Sequence, residues 1–430
     1  MTGNDAVNYI EQYSWSATRL GLERTSTLLH AIGDPQKELR FIHVAGSNGK
    51  GSTCAMLESI LRHAGYRTGL FTSPHLQDFC ERIRVNGRMI SLTDLAVVTD
   101  RVREKADAME DHPSQFELVT AIAMEYFKEQ RCDIVVLEVG MGGELDATNV
   151  IECPEVAVIT NIGLDHTEYL GNSLSDIARA KGGIIKKGCT AVLFDSGASP
   201  MRVLTDICLE RHAAYRISRE IDAVSIAHDL DGQSLIVDGK EYRLSLLGKH
   251  QLRNAATALH TIEALRSKGW EIGEESVAEG LRSVHWPARF ELLRRDPPFV
   301  LDGGHNPQCA EALIDCINDY FPGRPITFLF GVLADKDYRG IFQLVSPLSE
   351  RFICVTPDSP RALQADDLAA FIRENGYPAT ACSSIEDGIR QALLSSGCVV
   401  AFGSLYLAGH VRAVFPSLLN EHTESAPINT

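Results

Sequence analysis

The amino-acid sequence predicts an α/β protein in which a doubly wound parallel sheet is followed by a second, smaller α/β domain. Two observations support this prediction. Short apolar runs that end in Gly, Ser, Asp or Asn alternate with segments whose apolar residues recur at i, i+3 and i+4, as in parallel sheets with connecting helices. The alternation stops at residues 287–298, a segment rich in proline and arginine, and then starts again. The sequence therefore predicts two domains that meet near residue 290.

The composition restricts the class of protein. The chain has 430 residues, of which 44% are hydrophobic and 23% charged, as in ordinary globular proteins. Forty-one Lys and Arg against 57 Asp and Glu give a net charge of −16, so no global positive field can hold nucleic acid or an anionic membrane. The 11 cysteines form no C-x-x-C pair, which indicates reduced thiols rather than a disulfide scaffold or a zinc ribbon. We expect a cytoplasmic monomer that binds neither nucleic acid nor membranes.

The first domain is expected to cover residues 1–290. Its predicted buried strands are Phe41–Ala45, Ile134–Val139, Val156–Thr160 and Ala191–Phe194. Its clearest predicted helices are Thr53–His63 and Glu117–Phe127. The segment Leu230–Leu247 alternates in polarity around an Asp-Gly turn, which predicts a hairpin within this domain.

The second domain is expected to cover residues 291–420. Its predicted strands are Phe299–Leu301, Ile326–Phe330, Phe352–Val355 and Val399–Phe402. A helix is predicted at Gln308–Tyr320, and residues 421–430 are expected to be a disordered tail because they are polar and terminal. Ligands of such sheets bind at the carboxyl ends of the strands, so functional side chains are expected there.

The strongest functional signal is the segment His43–Thr53, HVAGSNGKGST. Its glycines allow positive φ and let successive N–H groups face an anion; they are Gly46, Gly49 and Gly51. Lys50 adds a mobile charge, and a helix expected to begin at Ser52 adds its N-terminal partial charge. The spacing departs from G-x-x-x-x-G-K-[ST], because Val44 stands in place of the first glycine and Gly51 precedes Ser52. A plain glycine turn is the alternative, but the strand before and the helix after favour phosphate binding.

A metal site is predicted beside this loop. Glu138 ends an apolar strand, where a carboxylate is costly unless a cation compensates its charge. His166 lies on the loop after the strand Val156–Thr160, and Ser73 follows the short strand Gly69–Phe71. Oxygen and nitrogen donors at one sheet edge suggest Mg²⁺. A structural salt bridge for Glu138 and a solvent-bonded ring for His166 are the alternatives.

Three other residues allow more than one interpretation. Lys181 could extend to water, pair with a carboxylate, or be carbamylated and become an oxygen ligand. Asp302 ends a strand before two glycines, where it could bind a ribose or another ligand hydroxyl, or only form the turn. Asn254 could be a helix N-cap. The sequence alone does not choose between these interpretations.

The chain resembles the dihydrofolate synthase/folylpolyglutamate synthase family, a branch of the Mur-type ligases that form amides using ATP. The resemblance covers nearly the whole chain and runs, in the family's order, through GLERTSTLL, VAGSNGKGST, TSPHL, ERIRVNG, EVGMGGELDATNV, LDHTEYLG, ARAKGGI, NAATAL, PARFE, LDGGHNP, FGVLADKD and GSLYLAG. It implies a doubly wound, P-loop ATPase-like N-terminal domain that holds ATP and the pteroate or folate. It also implies a smaller, Rossmann-like α/β C-terminal domain that serves glutamate ligation.

The resemblance also implies roles for individual residues. The residues implied to hold the ATP phosphates are Asn48, Gly49, Lys50, Gly51 and Ser52, and further nucleotide contacts are implied for Asn254, Arg289 and Asp302. The implied ligands of two Mg²⁺ ions are Ser73, Glu138 and His166. Lys181 matches a lysine that is carbamylated in relatives, and it joins Lys50 and His166 in the implied catalytic set.

The implied substrates are ATP, L-glutamate and either dihydropteroate or a reduced folate. The residues implied near the pteroate end are Leu22, Arg24, Thr25, Ser114, Gln115, Phe116, Glu117, Leu145, Asp146 and Ala147. Phe116 could stack on the pterin. His305 and Ser404 are candidates for the incoming glutamate. The chain departs from the family at Ser47 for a usual threonine, Cys80 for a usual asparagine and Glu144 for a frequent arginine.

The implied reaction begins when a carboxylate of the pteroate or folate attacks the γ-phosphate of ATP. The α-amine of glutamate then attacks the acyl phosphate, which gives an amide, ADP and phosphate. A Mur-type ligase with a different carboxylate acceptor is an alternative, although SQFE and LDATN argue against it. A P-loop kinase or a nucleotide-dependent binding module is a third possibility, which shares only the loop.

Overall fold

Parallel strands alternate with helices along most of the chain in a computed structural model that describes residues 1–13 and 20–425. The helices are α1 (Gly3–Glu11), α2 (Glu23–Ala31), α3 (Lys50–His63), α4 (Leu92–Ala106), α5 (Gln115–Glu129), α6 (Thr167–Leu170), α7 (Leu174–Gly182), α8 (Ala198–Glu210), α9 (Lys249–Ser267), α10 (Glu274–Ser283), α11 (Pro307–Tyr320), α12 (Tyr338–Val345), α13 (Ala365–Glu374), α14 (Ile385–Leu393) and α15 (Leu405–Ser425). Short 3₁₀ helices cover Pro35–Glu38, Phe79–Arg82, Ala147–Val150, Glu220–Asp222 and Ser346–Leu348.

The strands confirm the predicted α/β class. They are β1 (Phe41–Ala45), β2 (Thr68–Phe71), β3 (Ile83–Val85), β4 (Arg88–Met89), β5 (Ile134–Glu138), β6 (Val156–Ile159), β7 (Thr190–Phe194), β8 (Ala214–Ser218), β9 (Ala223–Asp229), β10 (Gly232–Val237), β11 (Lys240–Leu244), β12 (Glu291–Arg295), β13 (Pro298–Leu301), β14 (Ile326–Phe330), β15 (Ser349–Cys354), β16 (Ala379–Ala381) and β17 (Cys398–Phe402).

The described chain forms two compact units. The first contains Met1–Ile226, Ser234–Ser245 and Gln251–His285, and the second contains Ala227–Gln233, Leu246–His250 and the chain from Trp286 onward. Two short segments that precede residue 290 therefore belong to the second unit. The assignment of functions to residues 1–290 and 291–420 remains a prediction.

The large sheet of the first unit has the strand order β4-β3-β2-β5-β1-β6-β7-β8. The strands from β2 to β8 in that order are parallel, and only β3 and β4 are antiparallel additions at one edge. The central strands β1, β5 and β6 are buried along their whole length, as expected when helices cover both faces of a parallel sheet. Helices α1, α2, α4 and α5 share one core with β1, β2 and β5, and α3 packs on the same three strands.

A smaller sheet has the order β11-β10-β9. The predicted hairpin corresponds to β10 and β11, whose connection Asp238–Gly239 has φ values of 49° and 78°. Two successive positive φ angles are typical of a type I′ turn, the connection that suits a two-residue hairpin. Strand β9 adds a third strand that the sequence analysis does not include.

The sheet of the second unit has the order β12-β13-β17-β14-β15-β16. Strands β13, β17, β14, β15 and β16 are parallel, and β12 is antiparallel at one edge. Its core contains β14, β15 and β17 together with apolar residues of α11, α12 and α13. This arrangement confirms the predicted smaller α/β unit.

Two sequence expectations about element ends are wrong. Helix α3 begins at Lys50 rather than Ser52, so Gly51 lies in its first turn and not in a left-handed turn. Helix α15 continues to Ser425, so residues 421–425 are helical although they were expected to be disordered. Adding a turn to an existing helix costs far less than starting one, and Glu421 lies 3.4 Å from Arg390. Residues 426–430, the remainder of the expected tail, lie outside the described part of the chain.

No helix among the described residues is both long enough and apolar enough to cross a membrane.

Candidate functional site

The site is located by the topology of the large sheet. Strand β1 lies between β5 and β6, with Val44 paired to Glu138 and Ala45 paired to Ile159. The chain leaves β1 toward β2 on one side and leaves β6 toward β7 on the other. This reversal is the topological switch point of an open parallel sheet, and ligands bind there at the carboxyl ends of the strands.

The loop after β1 requires glycine at two positions. Gly46 has a φ of 154°, and a Cβ there would lie 1.7 Å from Thr160 Oγ1. Gly49 has a φ of 82°, and a Cβ there would lie 2.4 Å from Asn254 Oδ1. Any larger residue would move the loop away from these two side chains. The backbone of the loop is therefore close-packed and shaped by its neighbours.

The segment after β6 holds the loop in place. Ser47 Oγ donates to Gly163 O (2.7 Å) and accepts from Gly163 N (3.0 Å). Asn48 N donates to Asn161 Oδ1 (2.6 Å), and Thr160 Oγ1 donates to Asn48 O (2.8 Å). Asn161 was not predicted from the sequence, although its place directly after a strand at the switch point was a usable signal.

Two lysines converge on one carbonyl of the loop. Lys50 Nζ donates to Gly46 O (3.0 Å) and Ser47 O (3.3 Å), and Lys181 Nζ also donates to Gly46 O (2.9 Å). Lys181 is 3% exposed, so the interpretation that it extends to water is wrong. Burial and the nearby charge of Lys50 lower the pKa of Lys181 to about 7, and Asp165 opposes this shift. A lysine in this position is partly neutral at physiological pH.

The predicted metal ligands lie at the same edge of the sheet, Glu138 as the last residue of β5 and Ser73 and His166 on loops. Ser73 N donates to Glu138 Oε2 (3.1 Å), and Glu138 is 5% exposed, so these two residues are brought together. His166 lies on the loop that Ser47 anchors through Gly163, with its Nε2 3.7 Å from Asp165 Oδ2. Carboxylate and hydroxyl oxygens are suitable Mg²⁺ ligands. No group of three or more His, Cys, Asp or Glu side chains in residues 1–13 and 20–425 forms a metal site by itself.

Helix α9 contacts the glycine loop and the start of α3. Asn254 Nδ2 donates to Gln251 Oε1 (3.0 Å), and Gln251 Nε2 donates to Ser52 Oγ (3.3 Å). Because α9 begins at Lys249, Asn254 is an interior helix residue and not an N-cap. Gln251 was missed by the sequence analysis, since nothing in the motif NAATAL marks the residue one turn before it.

The segments expected near the pteroate are brought together in the first unit. Arg24 Nε donates to both oxygens of Glu117, at 3.2 and 3.0 Å, and both side chains are largely buried. Ser114 and Glu117 form a capping box at the start of α5. Gly21 N donates weakly to Leu145 O (3.4 Å), which joins the first of these segments to the third.

The other residues expected near the pteroate differ in their exposure to solvent. Phe116 lies over Gly140, where a Cβ would be 2.5 Å from its Cζ, and its ring centroid is 5.9 Å from that of Phe71. The Thr25 hydroxyl is fully buried and has no hydrogen-bond partner among the described residues. Gln115 is half-buried, and Leu145 is 47% exposed.

Asp146 is held by its own loop. Its carboxylate accepts from Met141 N (2.8 Å), Thr148 N (3.0 Å) and Thr148 Oγ1 (2.5 Å). Burial raises the pKa of Asp146, and these hydrogen bonds oppose that rise. Asp146 therefore fixes the shape of the loop that carries Leu145 and Ala147.

The second unit gathers its own predicted residues at the ends of β13 and β17. Asp302 accepts from Phe290 N (2.8 Å) and Gly304 N (2.7 Å), so it does form the turn. Burial raises the pKa of Asp302, and Arg289 opposes that rise. A Cβ on Gly303 would lie 2.9 Å from Arg289 Nη1, which places this guanidinium against the turn.

The two remaining predicted residues flank this turn. His305 Nδ1 lies 3.0 Å from Gly303 O. Ser404 is buried after β17, where its Oγ accepts from Tyr406 N (3.1 Å). Gly403 N donates to Gly304 O (3.1 Å) and joins the two loops.

A strand, a glycine loop and a helix at the switch point of a parallel sheet define the chain as a P-loop α/β protein. Comparison with known proteins narrows this class. Residues 44–262 match the Mur ligase middle domain, and residues 288–405 match the Mur ligase, glutamate ligase domain. Dihydrofolate synthase/folylpolyglutamate synthase of Bacillus subtilis is 34% identical, over 94% of this chain and 98% of the relative.

Solved structures agree with these matches. Folylpolyglutamate synthase of Mycobacterium tuberculosis, complexed with ADP and AMPPCP, has a TM-score of 0.88 at 31% identity, over 96% of this chain and 99% of that one. Escherichia coli FolC in complex with DHPP and ADP has a TM-score of 0.84 at 30% identity, over 97% and 98% of the two chains. The chain belongs to the Mur ligase family, in its dihydrofolate synthase/folylpolyglutamate synthase branch, which confirms the resemblance found in the sequence.

Proposed function

We propose that this protein joins L-glutamate to dihydropteroate, to a reduced folyl-(poly)glutamate, or to both, and converts ATP to ADP and phosphate. The observation that carries the proposal is the presence, in one unit, of a close-packed phosphate loop and the clustered segments around Arg24, Phe116 and Leu145. Full-length relatives named for this activity support it. The ATP and pteroate sites are assigned to residues 1–290 and glutamate ligation to residues 291–420 of a monomer.

Nucleotide binding is assigned to the backbone amides of residues 48–52 and to Lys50, Asn254 and the helix start at α3. Arg289 and Asp302 are the proposed nucleotide contacts of the second unit. Ser73, Glu138 and His166 are the proposed holders of two Mg²⁺ ions, which would neutralise charge on the phosphate oxygens when bound. Lys50 would exchange its bonds to the Gly46 and Ser47 carbonyls for phosphate oxygens.

Carbamylation is proposed for Lys181. A neutral amine adds CO₂ to give a carbamate and a proton, and its pKa of about 7 supplies the neutral amine. The change replaces a cation beside Lys50 with an anion, which removes their repulsion and provides oxygen donors. Incubation with ¹³C-bicarbonate should give a carbamate signal in the NMR spectrum of the native protein. The signal should be absent from Lys181→Arg, and its absence from the native protein would contradict this assignment.

The chemistry follows from positioning. The acceptor carboxylate oxygen attacks the γ-phosphorus, the bond to the β-phosphate oxygen breaks, and ADP leaves. The glutamate amine then attacks the acyl carbon, the amine loses a proton, and phosphate leaves as the amide forms. His305 and Ser404 are the proposed contacts of the incoming glutamate. Preorganised charges at Lys50 and the loop amides provide most of the acceleration in such transfers.

The decisive assay is ADP release by the purified protein with glutamate and a panel of acceptors. Release should require glutamate and either dihydropteroate or tetrahydrofolate, and side-by-side assays would show which of the two activities is present. Activity only with a muramyl peptide would favour the alternative Mur-type ligase. Absence of ADP release with both folate acceptors would overturn the proposal. A Glu138→Ala variant that releases ADP as fast as the native protein would favour a simple P-loop kinase, which does not need this carboxylate.

A further inference from the structure

One buried histidine has no place in the site described so far. His43 lies in the middle of β1 between Ile42 and Val44, and its side chain is fully buried. Burial lowers the pKa of His43 to about 3, so its ring is neutral at physiological pH. A buried polar ring costs free energy that an apolar side chain would not, unless it makes a useful hydrogen bond.

That hydrogen bond is made to Thr148. His43 Nε2 lies 2.8 Å from Thr148 Oγ1, whereas His43 Nδ1 has no hydrogen-bond partner among the described residues. The contact with Thr148 is therefore the feature of the structure that accounts for a histidine at this position.

Asp146 determines which atom donates in each of these two hydrogen bonds. Thr148 Oγ1 lies 2.5 Å from Asp146 Oδ1, and a carboxylate can only accept. Thr148 therefore donates to Asp146, and its oxygen accepts from His43 Nε2–H. This order fixes the tautomer of His43 and links β1, the strand that leads into the phosphate loop, to the loop that carries Leu145.

We propose that His43 and Thr148 are positioning residues for the acceptor site: they hold Asp146, and through it the segment from Leu145 to Ala147, in the shape that binds the pteroate. Backbone amides, those of Met141 and Thr148 among them, already bind Asp146 and would suffice for a turn. The side-chain connection adds a fixed distance between this turn and β1. The inference rests on the proposed function, because it assumes that the segment contacts the pteroate.

The test compares Thr148→Val with Thr148→Ser in the full-length protein. Valine has nearly the same shape without the hydroxyl, so the KM for the acceptor that the native protein uses, dihydropteroate or tetrahydrofolate, should rise about tenfold, while kcat and the KM for ATP change less than about twofold. Serine keeps the hydroxyl and should restore a KM close to that of the native protein. Thr99→Val is the matched control, because Thr99 is also buried but its hydroxyl has no hydrogen-bond partner among the described residues.

A second variant removes the histidine from the same series of hydrogen bonds. His43→Leu removes the donor to Thr148 and should raise the same KM in the same direction. In the Thr148→Val background it should add less than about twofold, because the connection is already broken. Should Thr148→Val fail to fold by circular dichroism, the single variant His43→Leu has the same expected effect and decides the matter.

The outcomes separate the inference from the function on which it rests. An unchanged KM for the acceptor that the native protein uses, in folded Thr148→Val, overturns the positioning role, and so does an equal rise in the KM values for ATP and that acceptor. In both cases the activity of the native protein still supports the proposed function. A native protein without ADP release from either folate acceptor contradicts the proposed function and this inference together.

Discussion

Gly49 shows how one residue decides whether the phosphate loop can form. Its φ of 82° is accessible to glycine at little cost, and the space where a Cβ would lie is occupied by Asn254 Oδ1. A substitution there thus meets both backbone strain and a steric clash. Gly65, just after helix α3, has a similar φ of 91° but open space around the missing Cβ.

This difference predicts the effect of Gly49→Ala. The variant should bind ADP at least about tenfold more weakly, because the loop must move away from Asn254 to admit the methyl group. Isothermal titration calorimetry with ADP measures this effect. Gly65→Ala carries similar strain, should lose about 1 kcal/mol of unfolding free energy, and should bind ADP normally. Equal loss of binding in both variants would contradict a local role of the loop.

The buried Lys181 predicts a dependence of stability on pH. Its pKa falls from 10.5 in the unfolded chain to about 7 in the folded protein. Between these values the unfolded state binds more protons, so the free energy of unfolding rises with pH in this window and the destabilisation is complete below pH 7. Each unit of pKa difference corresponds to about 1.4 kcal/mol of unfolding free energy. Structural relaxation around the charged lysine makes the observed change smaller than the full sum.

Lys181→Met removes this ionisation. In buffers free of CO₂, the variant should be more stable than the native protein at low pH, and the difference should shrink by about 1–3 kcal/mol between about pH 6 and pH 9. Urea denaturation at the two pH values gives the comparison. A difference that is independent of pH would show that Lys181 titrates normally in the folded protein.

At the scale of elements, helix α5 connects stability with the proposed acceptor site. Its N-cap Ser114 and Glu117 form a capping box, and the same Glu117 binds Arg24. Helix α4 has a comparable N-cap, because Ser91 Oγ accepts from Asp94 N (3.0 Å), but it lies outside the proposed site. The two serines form a natural pair for separating the two roles.

We therefore predict different outcomes for Ser114→Ala and Ser91→Ala. Each should lose about 1 kcal/mol of unfolding free energy, since each removes an N-cap hydrogen bond. Only Ser114→Ala should also raise the KM for the folate acceptor, because it loosens the first turn of α5, which carries Glu117, the partner of Arg24. Chemical denaturation and steady-state kinetics on both variants check this. A raised KM in Ser91→Ala would attribute the effect to stability alone.

The elements also show what the sequence could predict. Strands β1, β5 and β14 are fully buried and mostly apolar, so their apolar residues mark them to within a residue. The small antiparallel strands β3 and β4 were missed because they are short and partly exposed, although the turn Asn86–Gly87, with φ of 50° and 74°, was a local signal for a hairpin.

The parts of the site that a local motif forms could be predicted from the sequence. The parts that depend on tertiary contacts could not. The glycine loop consists of consecutive residues, so the sequence shows it directly. The pairing of Arg24 with Glu117, and of Asn48 with Asn161, joins positions about 90 and 110 residues apart, and no local pattern encodes such contacts. The roles of the paired residues in binding remain predictions.

At the scale of the whole molecule, each unit has its own sheet and its own apolar core. A chain with two separate cores can unfold in two cooperative transitions. Because the phosphate loop belongs to the first unit, a nucleotide should stabilise that unit directly.

Differential scanning calorimetry should therefore resolve two transitions. ADP at about 100 times its dissociation constant should stabilise one of them by about 2.7 kcal/mol, and the tenfold weaker binding of Gly49→Ala should reduce that shift to about 1.4 kcal/mol or less. Phe328→Ala, in the core of the second unit, should lower the other transition by about 3–5 kcal/mol. One transition that moves as a whole with either change would contradict independent unfolding.

The second unit includes two short segments, Ala227–Gln233 and Leu246–His250, that are separated in sequence from the rest of it. This limits where homologous genes can be recombined. Gly248 N donates to Tyr320 Oη (3.3 Å), and Lys249 lies 3.1 Å from Asp319, so a piece encoded far upstream completes a helix surface encoded later. A single crossover near codon 290 between two homologous genes would combine α11 from one parent with its covering segment from the other. Viable chimaeras should instead inherit residues 227–250 and α11 from the same parent.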